Sequence, residues 1–127
     1  MLLLVRGLPG SGKSTFGQQM EYKTQGLFHH VETDMYFLGP NGEYEFNPDA
    51  LGKAHHWCQE ETRTKLMCHA SVIVTNTFSR HWEMQPYIRM AESYGHNVNI
   101  VTMTGQYQNI HNVPQEVIDK MRARWEP

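Results

Sequence analysis

Residues 7–14 read Gly-Leu-Pro-Gly-Ser-Gly-Lys-Ser and follow directly on the apolar run Leu2-Leu3-Leu4-Val5. The pattern G-x-x-x-x-G-K-[ST] is complete, with Gly7, Gly12, Lys13 and Ser14 in the required places and Gly10 as an additional glycine. This feature constrains the fold because its chemistry needs a strand before it and a helix after it. Glycines let the backbone curl into a nest of inward N–H groups for phosphate oxygens. The helix start contributes the positive end of its dipole. Lys13 is then placed for the β- and γ-phosphates, and the Ser14 hydroxyl for Mg²⁺. Gly7, Leu8, Pro9, Gly10, Ser11, Gly12, Lys13, Ser14 and Thr15 are expected to hold a nucleoside triphosphate, ATP or GTP, with Thr15 at the α-phosphate.

The chain beyond the loop repeats the strand–helix alternation. A helix is expected over 13–23, with Phe16 and Met20 on one face and Gly26 as its stop. Leu27 to Thr33 reads as a second strand ending at Asp34. Residues 35–46, with Tyr36, Phe37, Gly39, Pro40, Gly42, Tyr44 and Phe46, read as an irregular loop or tight hairpin. Asn47 as N-cap and Pro48 at the first helical position start a helix to about Cys68, burying Leu51, Ala54, Cys58 and Leu66. Val72-Ile73-Val74 is the clearest core strand, ending in Thr75-Asn76-Thr77.

A third helix ends near Tyr94 with Gly95 as cap. Its start is ambiguous: Ser79 can cap it, but Pro86 would then fall inside it. Residues 97–103 form a fourth strand, 104–112 a polar loop, and Pro114 opens a last helix to about Trp125. This order implies an α/β fold. The expected architecture is a single P-loop NTPase domain over residues 1–127, a three-layer α/β/α sandwich with a mostly parallel sheet of about four strands. In such sheets ligands bind at the carboxyl ends of the strands.

Composition narrows the partners. A net charge of −2 with scattered Lys and Arg argues against a broad nucleic-acid groove, but not against gripping one nucleotide or a strand end. Cys58 and Cys68 lack C-x-x-C spacing and read as buried, reduced thiols. The apolar start is too short for a signal peptide, and no stretch is long enough to span a membrane, so a cytoplasmic protein is expected. The adjacent pairs His29-His30 and His55-His56 point to different faces, and Gln59 and Glu60 stand one turn beyond the second pair. A histidine metal site is not expected, and His55 reads as structural or supporting.

The chain resembles the P-loop kinases of the polynucleotide-kinase type, including the small AAA-like ATP-binding proteins of bacteria and their phages. The similar stretches are residues 6–15, Glu32 to Phe37, Tyr44-Glu45-Phe46, Ala54 to Cys58, Val72 to Thr77, Trp82 to Tyr87 and Asn109 to Pro114. They run in order along nearly the whole chain. The resemblance implies a P-loop kinase sheet and ATP with Mg²⁺. For the polynucleotide kinases themselves it implies γ-phosphoryl transfer to a nucleic-acid 5′-hydroxyl. There are departures. Phe37 stands where those kinases usually have an arginine, Thr75 where many P-loop enzymes have an aspartate for the Mg²⁺ shell, and Gln108 where a basic lid residue is common. The chain also ends at Pro127, where relatives commonly continue into a fifth strand, so the acceptor and adenine sites are expected to be pared down.

With the resemblance in view, Asp34 is the expected acceptor-side carboxylate, acting as base or orienting group, the alternative being a turn cap. Glu32 shares its face in a regular strand but reads rather as a solvated edge residue. Asn76 and Thr77 are candidates for Mg²⁺ waters or the acceptor, or alternatively for capping the next turn. Arg80 is a candidate phosphate grip or a surface residue, and Arg122 and Arg124 are candidate arginine fingers or packing residues beside Trp125. Among the aromatics, Tyr36, Phe37, Tyr44 and Phe46 can stack an acceptor base or plug the core. The leading expectation is a Mg²⁺-ATP kinase acting on a hydroxyl of a nucleotide or nucleic-acid 5′ end. The alternatives are a kinase of a small metabolite and a non-catalytic nucleotide-binding switch. Where a fifth strand is absent, a second copy is expected to cover the open sheet edge.

Overall fold

A computed structural model describes residues 1–107 and 113–127. The apolar run becomes β1 (Leu2–Arg6), in which all five residues are buried. A strand without polar alternation needs cover on both faces, and it sits between two neighbours. β3 (Ser71–Asn76) pairs with it on one side and β4 (Val98–Thr102) on the other. β2 (Phe28–Val31) pairs with β3, giving the order β2-β3-β1-β4 with every pair parallel.

Alternate residues of the central strands supply two separate cores. Leu2, Leu4, Val72 and Val74 face Cys58 and Leu66 of α2 (Leu51–Met67) and Tyr87, Met90 and Ala91 of α3 (Gln85–Ser93). On the other face, Leu3, Val5 and Ile73 meet Phe16 and Met20 of α1 (Lys13–Lys23) together with Val101 and Met103. The sheet is thus the middle of three layers. A last helix, α4, spans Gln115–Ala123 and buries Ile118.

The expected element order holds, with shorter bounds. The second strand stops at Val31, and the expected loop at 35–46 begins with a 3-10 turn over Thr33–Phe37 and carries the isolated antiparallel bridge Leu38–Tyr44. Asn47 does cap its helix start, accepting the Asp49 N–H at 3.0 Å, but a 3-10 turn over Pro48–Ala50 precedes α2. Pro86 lies in the first turn of α3, where its missing N–H costs nothing, because the Ser79 end forms a separate turn over His81–Glu83. Two burial expectations fail. Leu51 is 39% exposed because it opens α2 beyond the reach of the sheet, and Cys68 is exposed at the C-terminal end of that helix, leaving Cys58 as the buried free thiol. No helix among the described residues is long and apolar enough to cross a membrane.

Candidate functional site

Parallel strands bring their carboxyl ends to one edge of the sheet. There lie the loop after β1, the turn after β2, the tip of β3 and residues 103–107 after β4. Gly12 is the N-cap of α1 with φ 92°, a left-handed backbone that favours glycine, and among the described residues no side chain caps this helix. The first-turn N–H groups are left to a ligand. Ser11 Oγ is buried in the same loop without a hydrogen-bond partner among the described residues. Lys13 Nζ bends back to Leu8 O at 3.5 Å, and burial lowers the ammonium's pKa against the opposing pull of Glu32 and Asp34. The loop therefore has the open donors, bare helix terminus and fixed cation that a polyphosphate requires.

Glu32 is the largest correction to the sequence reading. It is 7% exposed, not a solvated edge residue. One of its oxygens, Oε2, accepts the hydroxyl protons of Ser14 at 2.7 Å and Thr75 at 2.8 Å. β2 and β3 are paired through Val31 and Val74, so the next residues, Glu32 and Thr75, emerge side by side. A carboxylate thus stands beside Thr75, just beyond the end of the neighbouring strand. The signal available in sequence was Thr75 itself, whose hydroxyl can donate to an acid one strand away.

Behind this pair, His30 Nε2 lies 2.6 Å from Thr75 Oγ1. The single Thr75 proton goes to Glu32, which can only accept, so His30 donates through Nε2–H and its bare Nδ1 lone pair is buried unpartnered among the described residues. Burial pushes the His30 imidazole pKa down, with Glu32 and Glu21 opposing, so the neutral ring is the form that fits. The chain of donors ends on Glu32 Oε2, which also takes the Ser14 proton. Because its proton is committed to Glu32, the Ser14 oxygen keeps its lone pairs for a cation.

Asp34 sits in the 3-10 turn after β2, half-buried, and accepts a hydrogen bond from the Tyr44 hydroxyl at 3.0 Å. Burial, then the nearby carboxylate of Asp34, raises the Tyr44 pKa, so this phenol stays a donor. Tyr44 is reached through the bridge Leu38–Tyr44, which folds the glycine-rich stretch back on the turn. The turn is further tied down from β3 and α2. Asn76 Oδ1 accepts the Thr33 N–H at 2.9 Å, and Thr33 Oγ1 lies 3.3 Å from His55 Nδ1. Asn76 thus props the turn that carries Asp34, and its amide nitrogen points to Cys58 Sγ at 3.7 Å. Thr77 receives the Gly7 N–H on its carbonyl at 3.2 Å and so fixes the entry to the loop.

The arginines separate. Arg122 borders a cavity of about 550 Å³ beside the loop, together with Leu8, Gly10, Tyr107, Ile118 and Trp125, although its exposed side chain also pairs with Asp119 at 3.5 Å. Arg124 does not face the loop: its Nε donates to Ser79 Oγ at 3.0 Å, which latches the C-terminal segment to the β3–α3 connection. Arg80 is exposed, with its backbone N–H given to Glu83 Oε1 at 3.1 Å. A residue not expected at all is Arg6, 3% exposed, which donates to Phe78 O at 2.7 Å and Glu126 O at 2.6 Å and lies 4.1 Å from the Trp125 ring centroid. It immediately precedes Gly7 and clamps the loop's root to two other segments. Gln108 and most of the polar loop's second half lie outside the described residues.

Among the described residues no cluster of three or more His, Cys, Asp or Glu side chains is arranged to hold a metal ion by itself. The donors present, Ser14 with Glu32 behind it, suit a cation that takes most of its ligands from phosphates and water, which is the habit of Mg²⁺.

The profile of a family described as AAA domain matches residues 2–110. Human NEDD4-binding protein 2 is 32% identical over 137 residues, covering 99% of this chain and 8% of that protein. The uncharacterized protein PM0531 of Pasteurella multocida (strain Pm70) is 31% identical over 132 residues, covering 94% of this chain and 73% of its own length. Among solved structures, a chain of the Pnkp1/Rnl/Hen1 RNA repair complex superposes with a TM-score of 0.72 at 21% identity, over 97% of this chain and 43% of that one. This chain therefore spans less than a tenth of the first relative and under half of the solved structure.

Proposed function

Because the chain belongs to the AAA domain family and has a P-loop kinase fold, we propose that it is an ATP-dependent phosphotransferase whose acceptor is a hydroxyl of a nucleotide or of a nucleic-acid 5′ end. The observation that carries this reading is the convergence of Lys13, Glu32 and Asp34. Both carboxylates pull on the half-buried Lys13 ammonium, yet only Glu32 is bonded to Ser14 of the loop. Two carboxylates in different hydrogen-bonding surroundings can take different tasks.

In this mechanism Lys13 and the N–H groups of the loop bind the β- and γ-phosphates. Ser14, with Glu32 holding its proton, contributes one oxygen to Mg²⁺. When bound, Mg²⁺ offsets phosphate charge and orients the transferred group. Asp34 accepts the proton of the acceptor hydroxyl as that oxygen forms its bond to the γ-phosphorus and the bond to the β-phosphate oxygen breaks, releasing ADP. Tyr44 orients the Asp34 carboxylate through the 3.0 Å bond. The cavity bounded by Tyr107, Trp125 and Arg122 is the space for the nucleotide base, which gives Arg122 a place beside the triphosphate. The same reading makes Arg124 structural.

The test is labelled phosphoryl transfer from ATP to a 5′-hydroxyl oligonucleotide, a nucleoside 3′-monophosphate, and a set of sugars. Transfer to either of the first two, lost in Asp34→Asn while ATP still binds, supports the proposal. Preferential transfer to a sugar would reassign the acceptor. Tight ATP binding with no transfer to any acceptor would leave a nucleotide-binding switch.

A further inference from the structure

The outer face of α2 carries a second candidate site that the phosphoryl-transfer chemistry does not use. Lys53, His56, Trp57 and Glu60 lie at helical spacing on one face of α2, and with Gly52 and Tyr36 they line a groove of about 540 Å³. Tyr36 and Trp57 form its aromatic part, with ring centroids 6.1 Å apart and planes at 56°. Trp57 rests one side on the core and is half-buried, while Tyr36 is 39% exposed. At Gly52 the floor is bare, because a Cβ there would meet nothing within 4 Å.

Three observations identify the occupant. Tyr36 belongs to the same 3-10 turn as Asp34, two residues on, so one wall of the groove is carried by the element that carries the proposed acceptor carboxylate. Its rings offer broad faces, and base–aromatic stacking is the sequence-tolerant way proteins hold single strands. The groove's positive group, Lys53, lies one turn before Trp57, while Glu60 at the other end is engaged by Arg63 at 3.4 Å. An aromatic surface with a cation beside it matches a base followed by its phosphate; a neutral sugar can stack on the rings but has no charge for Lys53 to meet.

We propose that the groove between Tyr36 and α2 is a stacking subsite for a base of a single-stranded nucleic acid, lying downstream of the reacting 5′ end, with Lys53 meeting the adjacent phosphate. The proposal deepens the acceptor assignment above, on which its kinetic arm rests. Its binding arm does not depend on catalysis. The subsite makes an oligonucleotide a better acceptor than a mononucleotide. It also offsets the absence of an arginine at position 37, where Phe37 is 6% exposed and packs edge-on against Tyr36 and Phe46.

The experiment uses the full chain and a single-stranded six-nucleotide DNA or RNA with a 5′-hydroxyl and a 3′ fluorophore, read by anisotropy without ATP. Trp57→Ala is expected to weaken binding roughly 5- to 150-fold. Lys53→Gln, an exposed change that spares the core, is expected to weaken it less and to flatten the salt dependence by about 0.7 of a log unit per log unit. Equal affinity and equal salt slope in the wild type and Lys53→Gln, or equal affinity in a folded Trp57→Ala, would overturn the subsite. In the kinetic arm, the KM advantage of the six-mer over a nucleoside 3′-monophosphate shrinks in both variants. Binding as expected with no transfer by the wild type would retain the subsite and remove the kinase reading. Transfer with the same KM ratio in all three proteins would do the reverse.

Discussion

The two sides of the site are built from different materials. On the phosphate side, backbone does the work: a left-handed Gly12, an uncapped helix terminus and a loop rooted by the Gly7–Thr77 bond. On the proposed acceptor side, side chains do it: Asp34 held by Tyr44, its turn held by Asn76, and the groove walled by Tyr36 and Trp57. A backbone nest demands glycine at fixed spacing, whereas a side-chain site can be assembled from several residue types on several elements. The first kind of site tolerates almost no substitution, and the second can be retuned piece by piece.

The sharpest way to break this contrast is to remove one charged group from each side. Lys13→Met should reduce transfer about 10³-fold, as expected for losing a preorganised charge on the transferred group, and should also weaken ATP binding. Asp34→Asn should cost about 10²–10⁴-fold in transfer, the range for a general base, with ATP affinity unchanged by isothermal titration. If Asp34→Asn weakens ATP as much as Lys13→Met does, the two sides are not separable and Asp34 belongs to the phosphate site.

Glu32 and His30 lie between the two, and Gly17 tests how firmly that middle is fixed. A Cβ at Gly17 would approach the His30 ring to 2.5 Å. The ring cannot withdraw without giving up its 2.6 Å contact with Thr75. Gly17→Ala should therefore destabilise the chain by about 1–3 kcal/mol, as overpacking does, despite alanine's better helix propensity. Urea melts read this directly. A stabilised variant would mean that His30 is free to move and that the Ser14–Glu32–Thr75–His30 chain is not a rigid frame.

These two sides were also unequally legible in the sequence. The loop could be read because its spacing is dictated by backbone geometry, and β1 and β3 because their apolar runs admit only a buried parallel strand. Asp34 was legible as an acid at a strand end. Glu32 was not, because period-2 alternation places a residue on a face but does not say whether a neighbouring strand's hydroxyl waits there; the Glu32–Thr75 pairing exists only through the register of β2 on β3. Between the two readings of Arg124, finger or packing residue, sequence could not choose for a similar reason: Ser79, 45 residues away, takes its guanidinium. Arg6 gave no signal, since a charged residue ending an apolar strand ordinarily marks the surface, whereas here carbonyls of Phe78 and Glu126 satisfy it in the interior.

A milder change sharpens the acceptor side alone. Tyr44→Phe removes the hydroxyl that orients Asp34 but keeps the ring near Phe37, 6.3 Å away. Loss of one hydrogen bond to a charged group is worth about 1.5–3 kcal/mol, so kcat should fall roughly 10- to 150-fold with ATP binding untouched. Because the raised Tyr44 pKa keeps the phenol protonated through neutral and mildly alkaline pH, the wild-type rate should show no loss there from this group. An unchanged kcat in Tyr44→Phe would make Tyr44 a packing residue and leave Asp34 oriented by its turn.

The smallest expected effect bears on why α2 begins as it does. Gly52 stands in the first turn of α2, exposed, with room for a methyl group. Glycine in a helix is less stable than alanine by about 0.5–1 kcal/mol, so on stability alone Gly52→Ala should raise the melting temperature by about 2–5 °C. The phosphate side offers no such margin, because its Gly12 is held at a φ of 92°. If the groove beside Tyr36 and Trp57 holds a base, the added methyl occupies its floor, and the more stable variant binds the single-stranded six-mer less well. Gain of stability with loss of binding would mark Gly52 as a residue kept for its open surface. Gain of stability with unchanged binding would confine the base to the Tyr36–Trp57 end of the groove.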